Sequence, residues 1–154
     1  MEDAAHAVAR LASPNAVLPA AWLTTALLWR RDGAAIGLGT SLAVAAEALL
    51  KPAIGRRRPR LWGRNEWRSF PSGHSAASTA YLVGLALVAA PPRHRAPALV
   101  AAGIGAASVN ALRLYTRAHW PGDVVAGDLI GLGAIIAARR ALASLRRRRA
   151  APTV

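Results

Sequence analysis

The chain has 154 residues, the length of one ordinary domain, and 54% of them are hydrophobic although the formal net charge is +13. A soluble nucleic-acid binder with an isoelectric point near 12.0 would spread its basic residues through a polar sequence, whereas here they gather in clusters between long uncharged runs, which indicates a membrane partner and no nucleic acid. The chain has no cysteine, so a disulfide scaffold, a thiolate metal site and a cysteine nucleophile are all excluded.

The first run without a charge covers residues 11–29 and is closed by Arg30, Arg31 and Asp32. The second, residues 33–50, carries only Glu47 and leads into a basic loop from Lys51 to His74. The third, 75–92, and the fourth, 96–112, carry no charge and are separated by Arg93, His94 and Arg95. After a connection over residues 113–120, the fifth run, 121–138, contains Asp123 and Asp128 and gives way to a basic tail, 139–154. At about 1.5 Å per residue, a helix of roughly 18 residues just crosses a hydrocarbon core of about 30 Å. A chain this short cannot bury five all-round apolar helices in a soluble core. The expectation is an all-α integral membrane bundle of about five transmembrane helices, forming a single membrane-embedded domain over residues 1–154. Glycine- and alanine-rich stretches such as Gly33, Gly37 and Gly39, and Gly103 with Gly105, suit close helix packing. Glu2 and Asp3 ahead of the first run, with only Arg10 as a positive charge, disfavour a cleaved signal peptide.

Five spans place the N-terminus, the loop 51–74 and the connection 113–120 on one membrane face. Arg30 to Asp32, Arg93 to Arg95 and the tail fall on the other. Basic residues divide equally between the faces, so the positive-inside rule does not orient the chain by count. If some charges of the first face serve chemistry, the tail lies in the cytoplasm of a cell-membrane protein and the first face is extracytoplasmic.

That first face gathers the reactive residues. Pro71 suits a first helical position, with the Ser72 and Gly73 amides unpaired at the positive end of a helix. Read alone, Pro71-Ser72-Gly73 is a turn that starts a helix. Next to His74, and facing Lys51, Arg58 and Arg113, it suits a phosphate. Lys51 is the only lysine among 20 basic residues. It is either a snorkelling anchor or a specific point charge, and Glu47 is spaced to share its helical face and pair with it. His119 and Asp123 stand four apart across Pro121, which places the start of the fifth helix at or after Trp120. They form either a histidine held by a carboxylate, with its second ring nitrogen free as nucleophile or base, or an interfacial histidine near a helix-start carboxylate.

These segments resemble the signature of the type 2 phosphatidic acid phosphatase family, and the chain is similar to its short bacterial members. Lys51, Arg58 and Pro59 match lysine, six residues, arginine-proline; Pro71 to His74 match proline-serine-glycine-histidine. Arg113, His119 and Asp123 match the third segment, in which Leu112 replaces the usual serine. The resemblance implies an active site at the helix mouths on one membrane face. Its mechanism needs no metal or other cofactor. His119 attacks phosphorus to form a phosphohistidine, Asp123 orients the imidazole, and His74 protonates the leaving oxygen. Lys51, Arg58, Ser72, Gly73 and Arg113 hold the phosphate.

The implied substrate is a membrane lipid phosphomonoester or pyrophosphate. Among these, a polyprenyl-linked phosphate such as decaprenylphosphoryl-5-phosphoribose suits an alanine- and arginine-rich chain that looks actinobacterial. Phosphatidylglycerophosphate, phosphatidic acid and undecaprenyl pyrophosphate are the alternatives, and a non-enzymatic lipid-binding membrane protein is the alternative of a different class. Arg56, Arg57, Arg60, Arg64 and Arg68 exceed what a phosphate pocket needs and serve either as an anion funnel or as a solvated basic loop. Trp62, Trp67 and Trp120 mark the membrane interface, and Asp128 reads as a hydrogen bonder in helix packing. Oligomeric state is not legible, and no role is assigned to His6 or His94.

Overall fold

The computed structural model describes residues 9–29, 32–60 and 66–150. His6, Arg30, Arg31, Trp62, Arg64 and the end of the tail lie outside the described residues. Each uncharged run forms one helix: α1 Pro14–Leu27, α2 Ala34–Ile54, α3 Gly73–Ala89, α4 Arg95–Tyr115 and α5 Pro121–Ala150, with one 3-10 turn, Pro92–His94, leading into α4. By length and composition, α2, α4 with its leading turn, and α5 are long and apolar enough to cross a membrane. The other two are shorter. α3 has 17 residues, and α1 has 14 because Ser13 is extended ahead of Pro14, which breaks the run at its start.

Two chain reversals set the working end of the bundle. α2 ends at Gly55, whose φ of 58° lets its N–H reach the Lys51 carbonyl and turns the chain toward Arg56. α4 ends with the Ala118 N–H on the Arg113 carbonyl at 3.1 Å and the Arg117 N–H on that of Leu114 at 2.9 Å. This is a Schellman closure, with Arg117 in the left-handed position, φ 52°, that glycine usually fills. A side chain there costs about 1–2 kcal/mol of backbone strain. The closure delivers His119 directly after α4.

α3 is the central helix, packed against α5, α2 and α4, while α1 lies on α2 and α3. The core between α2, α3 and α5 is built from Ala43, Ala76, Ala80 and Ala134 with Ile130 beside them. The smallness is required by geometry. A Cβ on Gly127 would lie 2.5 Å from the Ser72 carbonyl oxygen, and one on Gly131 would lie 2.5 Å from that of Ala76. The two glycines, four apart, therefore bring the backbones of α5 and α3 into direct contact. Gly37 and Gly39 meet Trp22 and Ile135 as their spacing predicts, but Gly103 faces open space, so that part of the packing expectation is corrected. α4 buries little beyond Ala102 and Ala106 because it rests chiefly on α3.

The tail expectation is also revised. The fifth span does not stop at residue 138: α5 runs unbroken for 30 residues, because alanine, leucine and arginine are all good helix formers and neither proline nor glycine interrupts them. Within the bundle, Asp128 accepts from Thr79 Oγ1 at 2.7 Å and from Asn110 Nδ2 at 2.6 Å. It thereby ties α5 to α3 and α4, the packing role expected of it.

Candidate active site

The helix order carries the eight selected residues to one end of the bundle. Lys51 is in the last turn of α2 and Arg58 follows it; Ser72, Gly73 and His74 begin α3; Arg113 ends α4; His119 precedes α5; and Asp123 lies in the first turn of α5. α5 begins at Pro121, as proline geometry predicts, and the Asp123 carboxylate reaches back to accept the Trp120 N–H at 2.9 Å. The same carboxylate closes the helix start and lies 3.5 Å from His119 Nδ1.

Asp123 is wholly buried, and His119 is only 3% exposed. The carboxylate is gripped on all sides: Ser69 Oγ donates to Oδ2 in a short contact, and Arg56 Nη1 donates to Oδ1 at 2.9 Å. At 3.5 Å the imidazole is within ion-pair reach, but among the described residues Nδ1 has no formed hydrogen bond. On the other side of the ring, Arg58 Nη1 lies 3.3 Å from His119 Nε2 and donates to the Ala118 carbonyl at 2.7 Å. Burial pulls the His119 pKa below the ordinary 6.5; the Asp123 contact opposes this, and Arg58 and Arg113 reinforce it. The neutral ring is thus favoured at neutral pH. With Nδ1 toward the carboxylate and Nε2 toward a guanidinium that can only donate, the consistent tautomer carries its proton on Nδ1 and its lone pair on Nε2.

Arg113 is close enough to Arg58 to feel its charge, and among the described residues Arg113 Nε is buried with no hydrogen-bond partner. Lys51 Nζ pairs with Glu47 Oε2 in a short contact, which confirms the pairing that the four-residue spacing allows. Glu47 is buried against Gly73, where any Cβ would meet the carboxylate at 2.7 Å. Only glycine lets that carboxylate approach the start of α3. A cavity of about 250 Å³ is lined by Glu47, Ala48, Lys51, Arg58 and Arg68. A second, of about 410 Å³, opens on His119 between Pro59, Leu114, Arg117, Trp120 and Pro121.

Three expectations change. Pro71 does not occupy the first turn of α3; the helix starts at Gly73 with Ser72 as its extended cap. The Ser72 amide is not free, because it donates to the Asp123 backbone carbonyl at 3.0 Å, and its hydroxyl accepts from Ser75 Oγ at 2.9 Å and from the Ser75 N–H at 3.4 Å. Ser72 is wholly buried. It binds the mouth of α3 to the mouth of α5 and presents no donor outward. His74 Nε2 lies 3.1 Å from the Ala9 carbonyl, so the segment before α1 covers it, while Arg113, His119 and Lys51 remain near enough to act on it electrostatically.

Sequence reasoning missed Ser69 altogether and treated Arg56 as surplus, although both hold Asp123. A serine two positions before a proline-serine pair carries no signal of its own, and one arginine in a run of three cannot be singled out. The surplus group does contain structural members. Arg57 stacks over Trp67 at 5.5 Å, Arg56 lies over Trp120 at 5.7 Å, and the Trp120 indole donates to the Arg57 carbonyl at 2.9 Å. The interfacial tryptophans of the described residues thus also brace the loop.

Fold and site define an all-α membrane protein whose bundle ends in a cationic pocket around a buried histidine–aspartate pair. The chain belongs to the PAP2 superfamily, whose family model matches residues 32–147. It is similar to the lipid A 1-phosphatase of Rhizobium johnstonii, 37% identical over 108 residues, covering 59% of this chain and 42% of that one. It is also similar to the decaprenylphosphoryl-5-phosphoribose phosphatase of Mycolicibacterium smegmatis, 36% identical over 104 residues, covering 64% and 53%. The chain thus spans about half the length of the curated relatives it matches. Among solved structures, a transmembrane PAP2-type phosphatidylglycerolphosphate phosphatase from Bacillus subtilis superposes with a TM-score of 0.69 at 25% identity, covering 89% of this chain and 74% of that one.

Proposed function

We propose that the chain is a lipid phosphate phosphatase that hydrolyses the phosphomonoester of a membrane lipid through a phosphohistidine. The observation that carries this reading is the neutral His119, with its Nδ1 3.5 Å from the buried Asp123 carboxylate, the Arg58 guanidinium 3.3 Å from its Nε2 and the buried Arg113 close by. Fixed cations beside a nucleophile are what a transferring phosphoryl group requires.

His119 Nε2 holds the free lone pair and attacks phosphorus in line; Asp123 receives the Nδ1 proton as a hydrogen bond while positive charge grows on the ring. Arg58, whose Nη1 lies 3.3 Å from Nε2, turns its guanidinium to an equatorial phosphate oxygen as that lone pair is consumed. Arg113 and Lys51 meet the remaining charge, with the first amides of α3 behind them. His74 gives a proton to the departing lipid oxygen, which first requires that its contact with the Ala9 carbonyl open. Water then gives a proton back to His74 and its oxygen to phosphorus, which cleaves the P–N bond and returns the nitrogen lone pair to His119. Ser72 acts by holding α3 to α5.

The substrate class follows from depth: a site at helix ends serves a phosphate in the headgroup layer with its tail among the lipids. Within that class we propose a polyprenyl-linked ribose phosphate, supported by the mycobacterial relative. Phosphatidylglycerolphosphate is the second reading, supported by the structural neighbour. We place the site on the extracytoplasmic face and the basic end of α5 in the cytoplasm.

The test is phosphate release by purified protein in detergent with EDTA, across decaprenyl-phosphoribose phosphate, phosphatidylglycerolphosphate, phosphatidic acid and undecaprenyl pyrophosphate. Release from at least one of them, abolished by His119→Ala, is expected; release from none, or full activity in the variant, refutes the reading. Orientation is read by impermeant maleimide on single cysteines at positions 65 and 144 in intact cells. Labelling at 144 alone reverses the assignment.

A further inference from the structure

One sizeable cavity lies away from the candidate active site. It is a groove of about 540 Å³ lined by Arg139, Arg140, Arg146 and Arg147, by the apolar Ala35, Ile136, Leu142 and Ala143, and by Asp32. It lies between the start of α2 and the second half of α5. α2 runs from Ala35 to Lys51 and α5 runs back from Asp123 to Arg139, and either path covers sixteen residues, or about 24 Å of helix rise. The groove and the candidate active site therefore occupy opposite faces of the membrane.

Its lining is amphipathic in a specific way. Ile136, Arg139, Arg140, Ala143, Arg146 and Arg147 recur at three- and four-residue spacing, so one face of α5 changes from apolar to cationic where it leaves the bilayer. Among the described residues, only Arg146 of the four arginines has a carboxylate partner, Asp32. Four cations against one acid leave a net positive groove with an apolar floor, at the level where lipid headgroups meet acyl chains.

We propose that this groove binds the headgroup of an anionic glycerophospholipid of the bilayer, as a site separate from the one that carries the chemistry. The arginines would fork onto the phosphodiester, and the Ala35, Ile136 and Leu142 surface would receive the start of the acyl chains. Asp32 would act as the internal competitor that holds Arg146 when the groove is empty. Topology alone demands only positive charge near the helix end, which Arg148 and Arg149 supply equally; a groove with an apolar floor and an acidic latch is additional to that demand.

The experiment is native mass spectrometry of the intact protein released from micelles containing phosphatidylglycerol and phosphatidylcholine in equal amounts. Arg139→Gln/Arg140→Gln is compared with Arg148→Gln/Arg149→Gln, which removes the same charge from outside the groove. Wild type should retain phosphatidylglycerol in preference to phosphatidylcholine. The groove variant should lose that preference by at least about tenfold, since arginines forked onto the phosphodiester make charge-assisted hydrogen bonds there, and the control, whose arginines lie outside the groove, should stay within about threefold of wild type. Asp32→Asn, which frees Arg146, should strengthen retention, and this arm stands if the double variant fails to fold. The proposal is overturned if wild type shows no lipid preference, if both double variants lose it equally, if Asp32→Asn weakens it, or if soluble glycerol phosphate displaces the lipid at equal concentration.

Discussion

Ser69→Ala isolates the part of the site that the family pattern does not contain. Ser69 and Asp123 are both wholly buried, and the hydroxyl donates to the same carboxylate oxygen, Oδ2, that faces His119. Alanine removes one oxygen and leaves the backbone bond from the Ser69 N–H to the Arg56 carbonyl, 2.9 Å, so the loop keeps its path. A hydrogen bond to a charged group contributes about 1.5–3 kcal/mol. At about 1.4 kcal/mol per decade of rate, its loss from the group that orients the nucleophile lowers kcat by roughly ten- to a hundredfold. Ser69 touches the carboxylate and not the phosphate cradle, so KM should hold within about twofold. The assay is steady-state phosphate release from a detergent-solubilised lipid phosphate, with Ser69→Thr as the variant that restores the donor and recovers much of the rate. A kcat within about twofold of wild type, or a loss confined to KM, refutes Ser69 as a positioning residue.

Gly127→Ala puts a Cβ against the Ser72 carbonyl oxygen and must separate α5 from α3; overpacking of this kind costs about 1–3 kcal/mol, read as a lower unfolding temperature together with lost activity, whereas Gly103→Ala, in open space inside α4, should lower neither. Burial lowers the His119 pKa, so the acid limb of kcat/KM should fall below pH 6.5, because the neutral, attacking ring persists as protons are added until that lowered value is reached; an acid limb above pH 6.5 contradicts the assigned environment. Lys51→Arg carries a longer, planar cation past Glu47 into the 250 Å³ cavity already holding Arg58 and Arg68, and should raise KM for the lipid phosphate about tenfold, with unchanged kinetics showing that any cation suffices there.

The helices were legible because charge interrupts them: every uncharged run became one helix, and Pro121 marked the start of α5. The end of α5 was not, because arginine signals a membrane boundary without stopping a helix. Lys51 with Glu47 and His119 with Asp123 could be paired from four-residue spacing, since that spacing is geometry within a turn. Ser69 with Asp123 and Arg56 with Asp123 are 54 and 67 residues apart, and no local periodicity reports such contacts. The Ser72 amide was misjudged for a related reason. A helix start leaves it free in isolation, but the close approach permitted by Gly127 brings the Asp123 carbonyl to it. The glycine pair on α5 was present in the sequence as a four-residue repeat of small residues, and the richer clusters at Gly33 to Gly39 and Gly103 drew attention from it.

The central claim is that phosphate passes through His119. The direct measurement is a rapid acid-free quench of the protein turning over a lipid labelled with ³²P in its terminal phosphate, followed by peptide mapping under alkaline conditions. The account predicts acid-labile, alkali-stable label on the peptide containing His119, appearing before free phosphate and absent from His119→Ala. Free phosphate formed at the full rate with no label on that peptide at any time point would contradict it.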